Sequence, residues 1–454
     1  MATLPLIAHH CLDAAVAWRD SVPVSVRQFL SDVDHVAGLL PPGRHVLNLC
    51  GDHYGFTVAL AACIVSGRVS LLPSTYTPEM VRRMQRIAPD VFCIADKDVS
   101  GVDLPVFCYP HSTLSHAATL AIPDIDCEQV IAQVFTSGST GVPEPHVKRW
   151  GNLVRNVHEE AERLGVTRGH AIVGTVPAQH MYGLESTVLM PLQSGGALNA
   201  GRPFYPADIC QDLEGLPRPR VLVTTPYHLR ALLAEQAALP VVDLLLSATA
   251  PLSRDLAVEA ETRFAAPLFE IYGCTETGQI ASRRTTAGAA WQTFSDVCLR
   301  CLGETVWAEG GHIEAPTPLN DVIELVDGDP TRFLLHGRHA DLVNIAGKRA
   351  SLGYLNHQLN AIPGIQDGIF LLPPEHDDDT AGGVRRLVAL VVAPKLTPVA
   401  VVQALRERID PTFLPRPLLF VDALPRNAAG KLPEHATKAL LASLQAQAAK
   451  GMPA

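Results

Sequence analysis

The chain has 454 residues, of which 47% are hydrophobic and 18% charged, and its formal net charge is −10. That length and apolar content can fill the cores of two or three domains. The acidic balance excludes nonspecific nucleic-acid binding, which needs basic surface to displace phosphate counterions. No apolar run approaches the roughly 20 residues that span a bilayer, and the opening MATLPLIAHHCLDAAVAW has no basic n-region, so the sequence predicts a cytoplasmic protein without a membrane span.

Ten scattered cysteines fit a reducing compartment, where a free Cys behaves as a small buried hydrophobe. Cys298 and Cys301 form a CxxC, but no second pair accompanies them and no metal is assigned there.

Along the chain, the first informative segment is an apolar strand-like run, QVIAQV, followed by FTSGSTG from Phe135 to Gly141. Gly138 and Gly141 can take positive φ and bring the backbone close to an anion, and the hydroxyls of Thr136, Ser137, Ser139 and Thr140 can donate to phosphate oxygens. The GK[ST] ending of the common NTPase loop is missing, which disfavours that class. Next comes VPAQHMYGL, Val176 to Leu184, with His180 and Tyr182.

The middle of the chain alternates β-rich and helical stretches: VLVTT before PYHLRALLAEQ, DLLLSATAP before SRDLAVEAETRF, then PLFEIYG. Such βαβ units stack into a parallel sheet whose ligands sit at the carboxyl ends of the strands. TSGSTG, SATAPL (with Ala248, Thr249 and Ala250) and YGCTETG (with Tyr272, Gly273, Thr275 and Glu276) each fall at the end of such a strand, so they are expected to converge on one crevice.

After Arg338 the pattern becomes a smaller α+β one, in which GIFLL and RRLVALVVAP flank PPEHDDDTAGGV. The EHDDD run there reads as a solvated hairpin loop, not a metal site. LPRNAAGK, Leu424 to Lys431, precedes a helical tail rich in Ala and Leu, and Lys431 is one of only seven lysines, which makes its place in a GK step harder to ascribe to chance.

These segments carry a resemblance. TSGSTGVP, IYGCTETG, GRHADLVNIAGKRAS (Gly337 to Ser351) and LPRNAAGK resemble, in order and at plausible spacing, the core motifs of the adenylate-forming ligases: acyl-CoA synthetases, peptide-synthetase adenylation domains and luciferases. The resemblance covers essentially the whole chain. It implies an α/β fold with a large N-terminal domain, residues 1–338, of mostly parallel sheets flanked by helices, joined by a hinge at 338 to 340 to a small, mobile α+β C-terminal domain, residues 339–454, that carries the catalytic lysine.

It also implies ATP and Mg²⁺. A carboxylate attacks the α-phosphate to give an acyl adenylate and pyrophosphate, and a thiol then displaces AMP. The family's roles carry over as follows. Thr136, Ser137, Gly138, Ser139, Thr140 and Gly141 would grip the β- and γ-phosphates. Thr275 would touch the α-phosphate and Glu276 would hold Mg²⁺. Tyr272, Gly273 and Thr249 would line the adenine site, Asp321 would bind the ribose hydroxyls, Arg338 would contact ribose or phosphate at the hinge, and Lys431 would bridge the carboxylate to the α-phosphate. His180 would orient the acid, whose pocket would be lined by Tyr182, Ala248, Ala250 and Gly273.

Two departures stand out. Glu144 and Pro145 replace the lysine and glycine that usually follow the loop, leaving Lys148, one turn further on, to supply the missing charge. Ala340 occupies the hinge position where the family has Asp or Lys, unless the hinge lies at Asp341.

TSGSTGVPEPHVKRWGNL, with its PxPHxKxW, looks like the short ligases of bacterial aryl-polyene and xanthomonadin pigment clusters. That closer resemblance implies 4-hydroxybenzoate or 3-hydroxybenzoate as the acid and the phosphopantetheine thiol of an acyl carrier protein as acceptor, docked on an exposed basic patch such as Arg82, Arg83 and Arg86, or Lys148, Arg149 and Arg155. Coenzyme A presents the same thiol arm, so an aryl- or fatty-acyl-CoA ligase is the alternative. A nucleotide-binding scaffold without turnover is a third reading, of a different class.

Overall fold

The computed structural model describes residues 2–450 apart from 74, 98, 100–101, 109–120, 138–142, 237, 304, 339–341, 346–347, 374–385 and 428–431. The Gly138 to Gly141 stretch, Ala340, Asp341, the EHDDD run and Lys431 therefore lie outside the described residues.

Two large sheets organise the chain up to Arg338. One has six strands, of which Val106–Cys108, Phe92–Ala95, His45–Asn48, Val69–Leu72 and Val130–Ser137 run parallel and Pro143–Arg149 closes an edge antiparallel. The other has eleven strands, with a parallel centre that includes Arg220–Thr224, Leu244–Ser247 and Leu268–Cys274 in adjacent positions. The helices between these three strands, Pro226–Ala234 and Arg254–Phe264, start where the sequence signals a start: Thr225 and Ser253 each accept a hydrogen bond from a first-turn amide, and Pro226 holds the first position. The expected βαβ units are present in the expected order.

Beyond Leu268–Cys274 the sheet turns antiparallel through Gly278–Arg283, Trp291–Thr293, Arg332–Arg338 and Asp321–Leu325. YGCTETG is therefore not the free end of a parallel strand; it is the turn of a hairpin, with Cys274 opposite Gly278.

The largest core packs between the sheets. Helix His53–Val65 runs through it with every residue from His53 to Ile64 buried. HYGFTVALAACI has no polar face to present, which is the composition of a helix buried on all sides.

The small C-terminal part has cores of its own. Val343, Ile345, Leu355, Phe370, Val391 and Val401 belong to one cluster, and Val388, Leu390, Leu424 and Leu441 to another, whereas Phe333 belongs to the large core. Asp367–Leu371 pairs antiparallel with Val388–Val392, as GIFLL and RRLVALVVAP predict. The last element among the described residues is helix Glu434–Lys450.

Candidate active site

Val130–Ser137 and Pro143–Arg149 pair in register from Ser137 opposite Pro143 to Lys148 opposite Ala132. Thr136 and Ser137 close the first strand, and the glycine-rich residues follow it. Lys148 does not lie one turn beyond that segment as expected. It sits on a strand, five register pairs from the Ser137–Pro143 end, and points inward with 8% exposure. Its ammonium donates to the Thr275 carbonyl and lies 3.4 Å from the Glu276 carbonyl. Burial pulls its pKa below the ordinary lysine value, against the pull of Glu185, Cys274, Glu276 and Glu314.

Between the two strands of the motif hairpin, Thr275, Glu276 and Thr277 form a tight turn. Gly273 has no alternative: a Cβ there would lie 2.2 Å from the Gly278 carbonyl oxygen. Side chains from three separate places reach the turn. Besides Lys148, His312 Nε2 lies 3.0 Å from the Thr277 carbonyl, and Asn156 Nδ2 donates to the Gln279 carbonyl at 2.9 Å.

With those backbone groups held inward, the Glu276 side chain keeps 36% of its surface exposed, and His146 Nε2 stands 3.9 Å from its Oε1. Burial would raise its pKa, but hydrogen bonds from its own backbone and from Cys274, with His146 and Lys148 nearby, more than offset that and hold it below the ordinary value. The result is an ionised hard-oxygen donor suited to Mg²⁺. No group of three or more His, Cys, Asp or Glu that could cage a metal exists among the described residues.

Tyr272 and Asp321 come together across 49 residues. The phenol donates to Asp321 Oδ2 at 2.7 Å, and the ring packs against Trp291 and Phe333 at centroid separations of 5.7 and 5.5 Å. Asp321 pairs with Arg338 across neighbouring antiparallel strands, so their separation of 17 in sequence becomes direct opposition in space.

Thr249 follows the Leu244–Ser247 strand with φ of +77°, rare for a β-branched residue. With Ala250 it borders a small cavity closed by Thr225, Arg230 and, from the C-terminal part, Arg426. Ala248 is buried beside it. Tyr182 is buried and donates to the Thr224 carbonyl at 3.2 Å, so its hydroxyl is engaged by the sheet. His180 is half-buried at the start of the short helix Met181–Gly183, which continues into a π-helical segment, Leu184–Leu189. Such segments recur at functional sites.

Behind this lies a buried polar group that sequence reading missed. Ser186 donates to Glu160 at 2.6 Å and Gln279 donates to Ser186 at 2.8 Å. Burial raises the Glu160 carboxyl to about 8 and pushes Glu185 up as well. A cavity runs from Glu276, Thr277 and Gly278 past Lys148 and Glu185 to Asn156 and His312. The available signal was charge inside apolar surroundings: Glu185 within YGLESTVLM and Lys148 on a strand. The proposed basic patch of Lys148, Arg149 and Arg155 is not formed, because Lys148 is buried and Arg149 pairs with Glu314 at 3.1 Å. Arg82 and Arg86 are exposed on helix Pro78–Ile87.

A family model described as AMP-binding enzyme matches residues 8–355. The chain belongs to the AMP-binding enzyme family. It is an adenylate-forming acid–thiol ligase. It is 30% identical over 302 residues to the 4-coumarate–CoA ligase of Rhodobacter capsulatus, covering 65% of this chain and 73% of that one. It is 24% identical over 423 residues to the 3-hydroxybenzoate–CoA/4-hydroxybenzoate–CoA ligase of Thauera aromatica, covering 80% and 77%. ATP-bound MatB from Rhodopseudomonas palustris shares the fold with a TM-score of 0.80 at 18% identity, over 96% of this chain and 97% of that one. No described helix is long and apolar enough to cross a membrane.

Proposed function

We propose that this ligase activates an aromatic carboxylic acid, 4-hydroxybenzoate or 3-hydroxybenzoate, as its acyl adenylate and passes the acyl group to a phosphopantetheine thiol. The carrying observation is the gathering of Tyr272, Asp321, Thr275 and Glu276 at one hairpin: an aromatic face, an acid able to accept from ribose hydroxyls, a hydroxyl and an ionised metal ligand.

In the first step a carboxylate oxygen of the acid bonds to the α-phosphorus of ATP and the bond to the bridging oxygen breaks, with pyrophosphate leaving. Thr136, Ser137, Ser139 and Thr140, with the amides of Gly138 and Gly141, hold the departing phosphates, and Thr275 holds the α-phosphate. Glu276 would hold Mg²⁺, which when bound would neutralise phosphate charge. His180 orients the acid and Lys431 bridges it to phosphorus. In the second step a thiolate bonds to the acyl carbon and AMP leaves. The protein's work is mainly positioning and charge stabilisation. A division into residues 1–338 and 339–454 would let the smaller part deliver Lys431 to the first step.

The hydroxybenzoate reading draws support from the likeness to the Thauera enzyme and from the small residues Ala248 and Ala250, whose short side chains would leave room for a flat ring. The PxPHxKxW stretch favours an acyl carrier protein as acceptor, in pigment biosynthesis in the cytoplasm. The second reading, coenzyme A as acceptor, is favoured by the names of both curated relatives.

Acid-dependent ATP–pyrophosphate exchange with benzoate, hydroxybenzoates, cinnamates and fatty acids tests the adenylation step. Exchange confined to a hydroxybenzoate is expected, and exchange only with fatty acids would overturn the substrate assignment. Thioester formation with a carrier protein against coenzyme A then decides the acceptor.

A further inference from the structure

The turn that presents Thr275 and Glu276 is held from below by side chains distant in sequence, and one of them is a buried cation. Lys148 is nine-tenths buried, and its ammonium meets the carbonyls of the two residues whose side chains are assigned to the α-phosphate and to Mg²⁺. We infer that Lys148 is the positioning residue of this turn: by holding the Thr275 and Glu276 carbonyls inward it aims the Glu276 carboxylate outward at the metal. This rests on the reading of Glu276 as the Mg²⁺ ligand.

Three observations support a positioning role over packing or direct phosphate contact. First, a strand alternates its side chains between faces, so His146 and Lys148 lie on the same side of Pro143–Arg149. His146 and Lys148 both reach Glu276, one toward its carboxylate and one to its carbonyl, while Trp150 anchors the stretch by donating to the Leu4 carbonyl at 3.2 Å. The period-two spacing of His146 and Lys148 is thus the spacing of a brace.

Second, the clamp is shared. With His312 on Thr277 and Asn156 on Gln279, the carbonyls of Thr275, Glu276, Thr277 and Gln279 all have side-chain neighbours from outside the hairpin. A turn fixed at that many points has one orientation for the side chain at its tip. Third, Lys148 lines the same small cavity as Glu185 and Glu276, among polar groups and not in an apolar core. A buried lysine used only as an apolar spacer would be better replaced by Met or Leu, because its charge resists leaving water.

Titration calorimetry of the full-length protein with ATP, in the presence and absence of Mg²⁺, tests this for the wild type, Lys148→Met and Lys148→Arg, with a melting curve for each. The wild type should bind ATP more tightly with Mg²⁺. Lys148→Met should keep its Mg²⁺-free ATP affinity and lose about tenfold of the Mg²⁺-dependent gain, the scale on which groups that orient metal ligands act. Lys148→Arg, which retains a cationic donor, should recover part of it. A lower melting temperature in Lys148→Met with an unchanged Mg²⁺-dependent gain would make the lysine merely structural and overturn the inference. So would equal loss of ATP affinity with and without the metal, which would mean direct contact with the nucleotide.

The readout is independent of which acid is turned over. Absence of exchange with every acid in a wild type that still binds ATP in an Mg²⁺-dependent way would count against the proposed reaction while leaving the positioning role supported.

Discussion

At the residue scale, the site depends on holding a few groups in unusual states. Glu276 must stay ionised while partly enclosed, and its surroundings keep its pKa low. Glu276→Gln keeps the shape and removes the charge that would hold the metal. Pyrophosphate exchange should fall by about 10²-fold or more, equivalent to about 3 kcal/mol of transition-state stabilisation, with the melting temperature nearly unchanged; exchange kinetics at varied Mg²⁺ check this.

Glu160 is in the opposite condition. Its carboxyl is fully buried and raised to about 8 from an ordinary 4.5. Between those two values the unfolded chain has lost the proton that the folded chain keeps. This group's contribution to stability is therefore fully present below about pH 4.5, falls by up to about 1.4 kcal/mol per unit as pH rises, and levels off above about 8. Glu160→Gln retains an acceptor for Ser186 and removes the titration. The variant should gain stability relative to the wild type as pH rises from 5 to 8, measured by urea denaturation across that range; a gap that does not widen with pH would refute this.

At the scale of elements, the hairpin Leu268–Cys274 and Gly278–Arg283 does most to shape the site. Its register shifts between Tyr272 and Gly273, and that irregularity lets Tyr272 turn toward Asp321 while the next residues form the turn. Because a Cβ at Gly273 would collide with backbone and not with a movable side chain, Gly273→Ala should cost about 1–3 kcal/mol, the scale of overpacking in a tight core. It should also weaken ATP binding; calorimetric melting and nucleotide titration would show both effects together. The sequence could mark this segment as important, since YGCTETG is too rich in small and polar residues for a plain strand. It could not show that the segment is a turn, because an antiparallel return depends on which strand pairs next.

At the scale of the whole molecule, the two large sheets form one body with a common core, and the described core residues from Val343 onward pack into separate cores. Arg426 forms a paired contact with Asp367, at 2.6 and 2.7 Å. That fixes Arg426, five residues before Lys431 in sequence, to the small part of the chain. If this part delivers Lys431 only for adenylation, Lys431→Ala should lose exchange by roughly 10²-fold, by analogy with removing one preorganised donor, while thioester formation from supplied acyl adenylate proceeds near the wild-type rate. Single-turnover assays of the two half-reactions separate these, and equal loss in both would reject the division of labour.

The sequence by itself determined the local structure, namely the βαβ order and the helical stretches from Pro226 and Ser253, and the family, because turn chemistry, capping and motif order are written in neighbouring residues. Only the tertiary structure decided what joins distant parts. It put Tyr272 on Asp321, set Asp321 opposite Arg338, and lodged Lys148 against the carbonyls of Thr275 and Glu276. Such contacts depend on strand pairing and burial across 17 to 128 residues, and a buried charge reveals its partner only when the surrounding chain has folded around it.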